Sequence, residues 1–292
     1  MPRISVSDAG AFLSLCEAES IDLIVSSPPY CMGREYDRSG TVPDFVKAHE
    51  EILPEIVRVT KPGGSICWQV GHHVRDGVAV PLDAIVYGIF SQAPVLKLRN
   101  RIVWTFGHGA HCRNRFSGRH ETILWFTKGD SYFFDLDAVR VAQKYPGKRY
   151  YKGSKRGQPS GNPHGKNPGD VWDIPNVKAN HVEKTEHPCQ FPVALVQRLV
   201  KALCPSGGVV ADPYMGSGSS AVAALIEGRH FVGCDSSVKY IAVARDRLTK
   251  LGAGTLKFRD IDQPIYVPQS TQSVARRPDQ WALQVDDGHD HG

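Results

Sequence analysis

Two stretches of this chain have residue types and an order that could do chemistry, although about 180 residues separate them: Ser27-Pro28-Pro29-Tyr30, and Asp212-Pro213-Tyr214-Met215-Gly216-Ser217-Gly218-Ser219. The first follows an apolar run, Ile21-Asp22-Leu23-Ile24-Val25. Consecutive prolines lack N–H groups and fix their own φ, so the strand stops there. Each proline also pushes the residue before it toward extended geometry. The product is a stiff arch that offers a hydroxyl, an aromatic ring and carbonyl oxygens with no ladder to join. On four letters alone a plain turn is the simpler reading, and the second stretch supplies the chemical context.

That second stretch reads as strand, tight turn and helix, with Gly216, Gly218 and Ala221 in a G-x-G-x-x-A pattern. Glycines at these places let the backbone turn sharply and approach a nucleotide-like ligand. Asp235, followed by Ser236, stands at the end of the next strand, where a carboxylate accepts hydrogen bonds from a ribose. Asp212 precedes the glycines at the strand tip. A carboxylate there repels a pyrophosphate and suits an ammonium or sulfonium group. S-adenosylmethionine carries both, so it fits better than a nicotinamide dinucleotide.

The elements that must hold these stretches alternate. Strands are expected at 4–6, 21–25, 65–70, 101–106, 121–127, 209–211 and 230–234. Helices are expected near 43–59, 81–90, 191–203, from the glycine turn to Glu227, and at 238–251. Lys61-Pro62-Gly63-Gly64 is a break, and Cys31 to Gly40 a polar loop. The rhythm predicts an α/β fold with a doubly wound, mostly parallel sheet. It stops from about Asp135 to Glu186, where ten Lys and Arg residues between Arg140 and Lys184 face three acidic ones. Such a stretch attracts a polyanion. The expected division is 1–134 and 187–260 for the two parts of one catalytic domain, 135–186 for an inserted recognition segment, and 261–292 for a tail.

Composition excludes some classes. No apolar run approaches the roughly 18 residues of a membrane span, and Met1-Pro2-Arg3-Ile4-Ser5 has no signal-peptide core, so a cytoplasmic location is expected. Seven cysteines, an odd number without C-x-x-C spacing, point to reduced thiols. His108, His111 and Cys112 lack a fourth ligand at suitable spacing, so no metal is expected.

The two motifs resemble those of the amino-group DNA methyltransferases: Ser27-Pro28-Pro29-Tyr30 their catalytic motif, and Asp212 to Ser219 their cofactor motif. The order, catalytic motif first with a variable segment between, is similar to that of the β group. His187-Pro188-Cys189-Gln190-Phe191-Pro192 resembles the stretch ahead of the family's cofactor strand, and Asp8 sits where the family has a Gly-Asp pair, with Ser7 in place of the glycine. The resemblance implies a Rossmann-like fold of permuted motif order and methyl transfer from S-adenosylmethionine to the amino nitrogen of a flipped base, adenine N6 or cytosine N4. It implies double-stranded DNA as partner and a homodimer. Ser27, Pro28, Pro29 and Tyr30 would be catalytic. Asp8, Gln190, Asp212, Pro213, Tyr214, Gly216, Ser217, Gly218, Ser219, Asp235 and Ser236 would hold the cofactor. Arg113, Arg115, Lys144, Lys148, Arg149, Lys152, Lys155 and Arg156 would meet DNA, and Trp104 and Phe106 are candidates to line the base pocket. Pro188-Cys189 repeats the pair of the cytosine C5 enzymes, but it precedes the cofactor motif instead of following it, which assigns Cys189 a structural or cofactor-side place. An inactive DNA-binding regulator has no need of Ser27, Pro29, Tyr30 and Asp212. An enzyme acting on RNA or a protein amide has the opposite motif order.

Overall fold

The computed structural model describes residues 2–30, 40–75, 77–107, 109, 111–178, 180–266, 269 and 271–276. The expected polar loop, except Gly40, and His108 lie outside these residues, as does the tail beyond Arg276. The chain divides into two units, residues 1–261 and 262–292. In the second, the described residues include a short 3-10 turn at Ser273–Ala275. No helix among the described residues is long and apolar enough to cross a membrane.

In chain order the first unit contains β1 (Arg3–Val6), α1 (Ala9–Ser14), β2 (Ile21–Ser26), α2 (Val42–Val59), β3 (Thr60–Val70), β4 (His72–Arg75), β5 (Val78–Pro81), α3 (Leu82–Phe90), β6 (Leu96–Thr105), β7 (His120–Lys128), β8 (Val171–Asp173), α4 (Val193–Leu203), β9 (Val209–Asp212), α5 (Ser219–Ile226), β10 (His230–Asp235) and α6 (Val238–Gly252). An eight-stranded sheet runs β1-β10-β9-β2-β3-β7-β6-β8, and β4 and β5 form a separate hairpin. Neighbours from β1 through β3 pair in parallel, and so do β6 and β8, while β7 runs antiparallel to both β3 and β6.

The central strand is apolar on consecutive residues because both its faces are covered. Leu23 and Val25 join a core with Leu195, Leu199 and Val222 of α4 and α5, and Ile24 joins a second core with Ile56 and Phe90 of α2 and α3. Each such side chain stabilises the fold by about 1.5–3 kcal/mol. The α2 N-terminus is capped by the Thr41 hydroxyl, which accepts from the Asp44 N–H at 3.3 Å, and Pro43 fits the first turn.

One sequence expectation changes. Lys61-Pro62-Gly63-Gly64 ends the helix but lies inside β3: Thr60 pairs with Ile21 and Ser65 with Leu23, so the four residues bulge out between those positions. Gly63, at φ +77°, makes this bend, and a Cβ there would sit 2.7 Å from the Ser131 carbonyl. The strand expected at 121–127 is β7, and its direction, which the sequence leaves unspecified, is reversed within the otherwise mostly parallel sheet. The 135–186 segment is mostly turns, closed by bridges at Val141–Lys166 and Arg149–Pro159, and it contributes β8 to the sheet edge. Its flanks are anchored by buried Val139, Trp172, Ile174 and Val177.

Candidate active site

The strand order reverses between β9 and β2: from β2 the chain winds out through β3, and from β9 it winds the other way to β10. Ligands of open α/β sheets bind at the carboxyl ends of strands flanking such a point. A cleft of about 280 Å³ opens there. Ser27, Pro28, Pro29 and Tyr30 line one wall, and Tyr214, Gly216, Ser217, Ser219 and Asp235 line the other. Gln190, Trp104 and Phe106 also reach it.

Asp212 has a different place from the one expected. Its carboxylate is fully buried, does not line the cleft, and accepts from Ser26 Oγ at 2.6 Å, Ser220 Oγ at 2.6 Å and the Tyr214 N–H at 3.0 Å. Burial pushes its carboxyl up to about 6 despite these donors. The expectation that Asp212 offers charge to a cationic ligand is therefore corrected: it braces the end of β2 against the glycine turn. Asp8 caps α1, accepting from the Gly10 and Ala11 N–H groups at 2.8 and 3.3 Å, and does not reach the cleft. Pro213, Gly218 and Ser236 are likewise outside the lining.

The glycine turn is tight for identifiable reasons. Gly216 has φ +48°, and a Cβ there would lie 2.8 Å from His187 Nε2. Gly218, at φ +77°, begins α5 against Ala244. Asp235 receives the Gly216 N–H at 3.0 Å on one oxygen and the Ser237 N–H at 2.8 Å on the other. Behind the turn, buried Arg247 donates to the Ser217 carbonyl at 2.8 Å and Ser219 Oγ at 3.1 Å, with Glu183 3.8 Å away. Glu183 also accepts from the Val193 N–H at 2.9 Å and the Arg259 N–H at 3.1 Å. Gln190 is held by Thr185 and the Glu183 carbonyl. Burial lowers His187 to about 4, so its ring is neutral.

The arch end has a polar network that sequence reasoning missed. Gln69 Nε2 donates to Tyr30 Oη at 2.7 Å and to Glu121 Oε2. Ser27 Oγ and Tyr30 Oη lie 3.4 Å apart. Gly71 makes room: a Cβ there would touch both Tyr30 and Glu121 at 3.3 Å. Burial pushes the Glu121 carboxyl up to about 7, opposed by the Gln69 hydrogen bond and the charge of Lys178. Burial, then the Glu121 charge, hold the Tyr30 phenol well above its ordinary value. Glu121 and Gln69 reach one another because β7 is reversed, which brings its first residues to the edge where β3 ends; a strand's direction leaves no mark in its own letters.

Cys189 is exposed and lines the cleft. Among the described residues no group of three His, Cys, Asp or Glu side chains is arranged for a metal. Arg113, Arg115, Lys144, Lys148, Arg149, Lys152, Lys155 and Arg156 are all exposed and none lines the cleft. Lys144 and Lys155 stand over the rings of Tyr145 and Tyr150 at 5.5 and 5.9 Å.

The N6/N4 methyltransferase family model, described as DNA methylase, matches residues 21–246. The chain belongs to this DNA methylase family. The type II methyltransferase M.BglII of Bacillus subtilis is 45% identical over 226 residues, 77% of this chain and 62% of that protein, so this chain spans less than two thirds of that relative. The type II methyltransferase M.ScaI of Streptomyces caespitosus is 36% identical over 82% of this chain and 79% of its own. Among solved structures, TTHA0409 of Thermus thermophilus in complex with S-adenosyl-L-methionine superposes with a TM-score of 0.62 at 25% identity, covering 86% of this chain and 94% of that one. The chain thus carries both motifs at the switch point of its sheet, in the permuted order of the family.

The Ser26–Asp212 brace generates a prediction. Ser26→Ala leaves a buried carboxylate with one donor fewer and lowers unfolding free energy by about 1–3 kcal/mol, read by urea denaturation at pH 7. A change below about 0.3 kcal/mol would mean that the hydrogen bond holds nothing together.

Proposed function

We propose that this DNA methylase transfers a methyl group from S-adenosylmethionine to the exocyclic amino nitrogen of a base flipped out of duplex DNA, adenine N6 or cytosine N4. One observation carries the reading: the Ser27–Tyr30 arch and the Tyr214–Ser219 turn are two walls of one cleft.

The residues at the glycine end fit an adenosyl compound. Gly216, whose missing Cβ makes room for the His187 ring, brings bare backbone to the cleft wall, and Asp235 lines the cleft at the tip of β10, where its carboxylate can accept from ribose hydroxyls. Tyr214, Ser217, Ser219 and Gln190 complete that end; Asp212 and Gly218 support it through the turn and the start of α5, and Asp8, Pro213 and Ser236 stand outside the lining. When bound, S-adenosylmethionine supplies an electrophilic methyl group.

The chain's own residues do the rest. An amino group on a base is a poor nucleophile because its lone pair is delocalised into the ring. Ser27 Oγ and the Pro28 carbonyl accept its N–H bonds and favour a localised pair facing the methyl group. Pro28 and Pro29 keep that carbonyl in place. The Tyr30 ring gives the base a stacking face, steadied by Gln69. Catalysis of this kind is positioning and electrostatics. The amino nitrogen cannot be reached inside a duplex, so the base must leave the stack at a cost of a few kcal/mol.

The basic segment supports duplex DNA as substrate. Exposed Lys144, Lys148, Arg149, Lys152, Lys155 and Arg156 are interleaved with exposed Tyr145, Tyr150 and Tyr151, a surface suited to phosphates and sugars. Arg113 and Arg115, in the connection from β6 to β7, are exposed as well and add two cationic side chains. Pairing of two copies and a cytoplasmic location complete the reading.

Incubation with isotope-labelled S-adenosylmethionine and unmethylated amplified DNA, followed by nucleoside mass analysis, is expected to yield N6-methyladenine or N4-methylcytosine. Label on RNA and none on DNA contradicts the reading. Replacing Lys148, Arg149 and Lys152 together by alanine weakens DNA binding and flattens its salt dependence, by about 0.9 in log–log slope for each phosphate the protein no longer neutralises. Unchanged affinity and slope would remove this segment from the DNA interface.

A further inference from the structure

Methylating an amino group leaves one proton too many on the nitrogen, and that proton needs a destination. Neither Ser27 Oγ nor the Pro28 carbonyl is one, since a neutral hydroxyl or carbonyl oxygen accepts a hydrogen bond without holding a proton near neutral pH. Among the described residues two carboxylates line the cleft, Asp235 and Glu121. Asp235 belongs to the glycine end, with both oxygens engaged by backbone N–H groups. Glu121 belongs to the arch end.

Its setting is specific. Glu121 pairs with Trp104 across the β6–β7 ladder, and Trp104 also lines the cleft. Its Oε2 takes one N–H of the Gln69 amide, whose nitrogen also donates to Tyr30. Its Oε1 has no hydrogen-bond partner among the described residues and lies over Gly71, beside the Tyr30 ring. No ion pair among the described residues involves Glu121. The titratable and charged groups that face it are Tyr30 from the arch and Lys178 from the segment after β8, with Cys189 beyond Tyr30.

We propose that Glu121 is the proton acceptor of the methyl transfer, with Oε1 receiving the proton that the target amine sheds. This rests on the reading of the chain as an amino-group DNA methyltransferase. The nitrogen's electron pair forms the new N–C bond as the C–S pair withdraws to sulfur. The N–H pair then returns to nitrogen while the proton passes to the Glu121 carboxylate, leaving a neutral acid that exchanges with solvent. Before that, the same carboxylate faces the positive charge arriving on nitrogen and lowers the barrier to its formation. A carboxyl pushed by burial to about 7 is matched to this task at neutral pH, where it both takes and releases a proton. The group works when ionised, so the rate rises with pH through that value and levels off above it.

The test is the single-turnover rate of methyl transfer to unmethylated amplified DNA between pH 5.5 and 9, for the unaltered protein and Glu121→Gln. The expected result is an acid limb with a midpoint near 7 in the unaltered protein, and a rate at least ~100-fold lower and independent of pH in the variant. Cofactor and DNA affinities, measured by calorimetry and filter binding, stay within about threefold of the unaltered protein, which also shows that the variant folds. Glu121→Asp restores a pH-dependent limb. A Glu121→Gln rate within about threefold of the original, or an acid limb that survives in it, overturns the assignment while leaving the methyltransferase reading intact. If the unaltered protein transfers no methyl group to any DNA, the underlying reading fails and the role of Glu121 with it.

Discussion

The structure depends on a buried carboxylate at the point where two strands part. β2 and β9 share a ladder at Leu23–Val210 and Ile24–Ala211, and beyond it one chain enters the proline arch and the other the glycine turn. Asp212 spans this divergence by accepting from Ser26 on one side and from Ser220 and the Tyr214 N–H on the other. An ionised carboxylate without donors in such a place would be costly. With three donors it becomes a fixed corner, and the two walls of the cleft inherit its geometry. The rear of the turn is held in the same manner, by Arg247 on the Ser217 carbonyl and by Glu183, which anchors the return from the basic segment.

From that corner the cleft acquires two ends of different chemistry. The glycine end has buried backbone at the cleft wall, a neutral His187 and an Asp235 satisfied by N–H groups. The arch end has a hydroxyl, a phenol, an amide and a carboxyl linked in sequence from the arch after β2 to β3 and β7. The reversed strand β7 makes the second arrangement possible, because a parallel strand at that position would send its first residues to the opposite edge of the sheet.

Much of this is legible in the letters. The prolines of the arch and the glycines of the turn carry their geometry locally, so both motifs and the alternation around β2, β9 and β10 can be read directly. The relation between distant segments cannot. Asp212 reads as a charge offered to a ligand because nothing in its neighbourhood names Ser26 as its partner. Residues 61–64 read as a break between helix and strand, although a bulge inside β3 uses the same Pro and Gly chemistry. Glu121 reads as an ordinary strand residue; only the direction of β7 and the room left by the missing Cβ of Gly71 give it a place beside Tyr30. The basic segment is a loop in both sequence and structure, yet its flanks are packed, since Val139, Trp172 and Ile174 are isolated apolar residues without a period.

The central claim is that one cleft has a cofactor wall and a base wall, each with its own duties. The most direct measurement is the calorimetric affinity for S-adenosylmethionine, without DNA, of the unaltered protein, Tyr30→Ala and Gly216→Val. The account predicts 1:1 binding that Tyr30→Ala keeps within about threefold and Gly216→Val weakens by at least ~30-fold. Equal losses in both variants, or no binding by the unaltered protein, would contradict it.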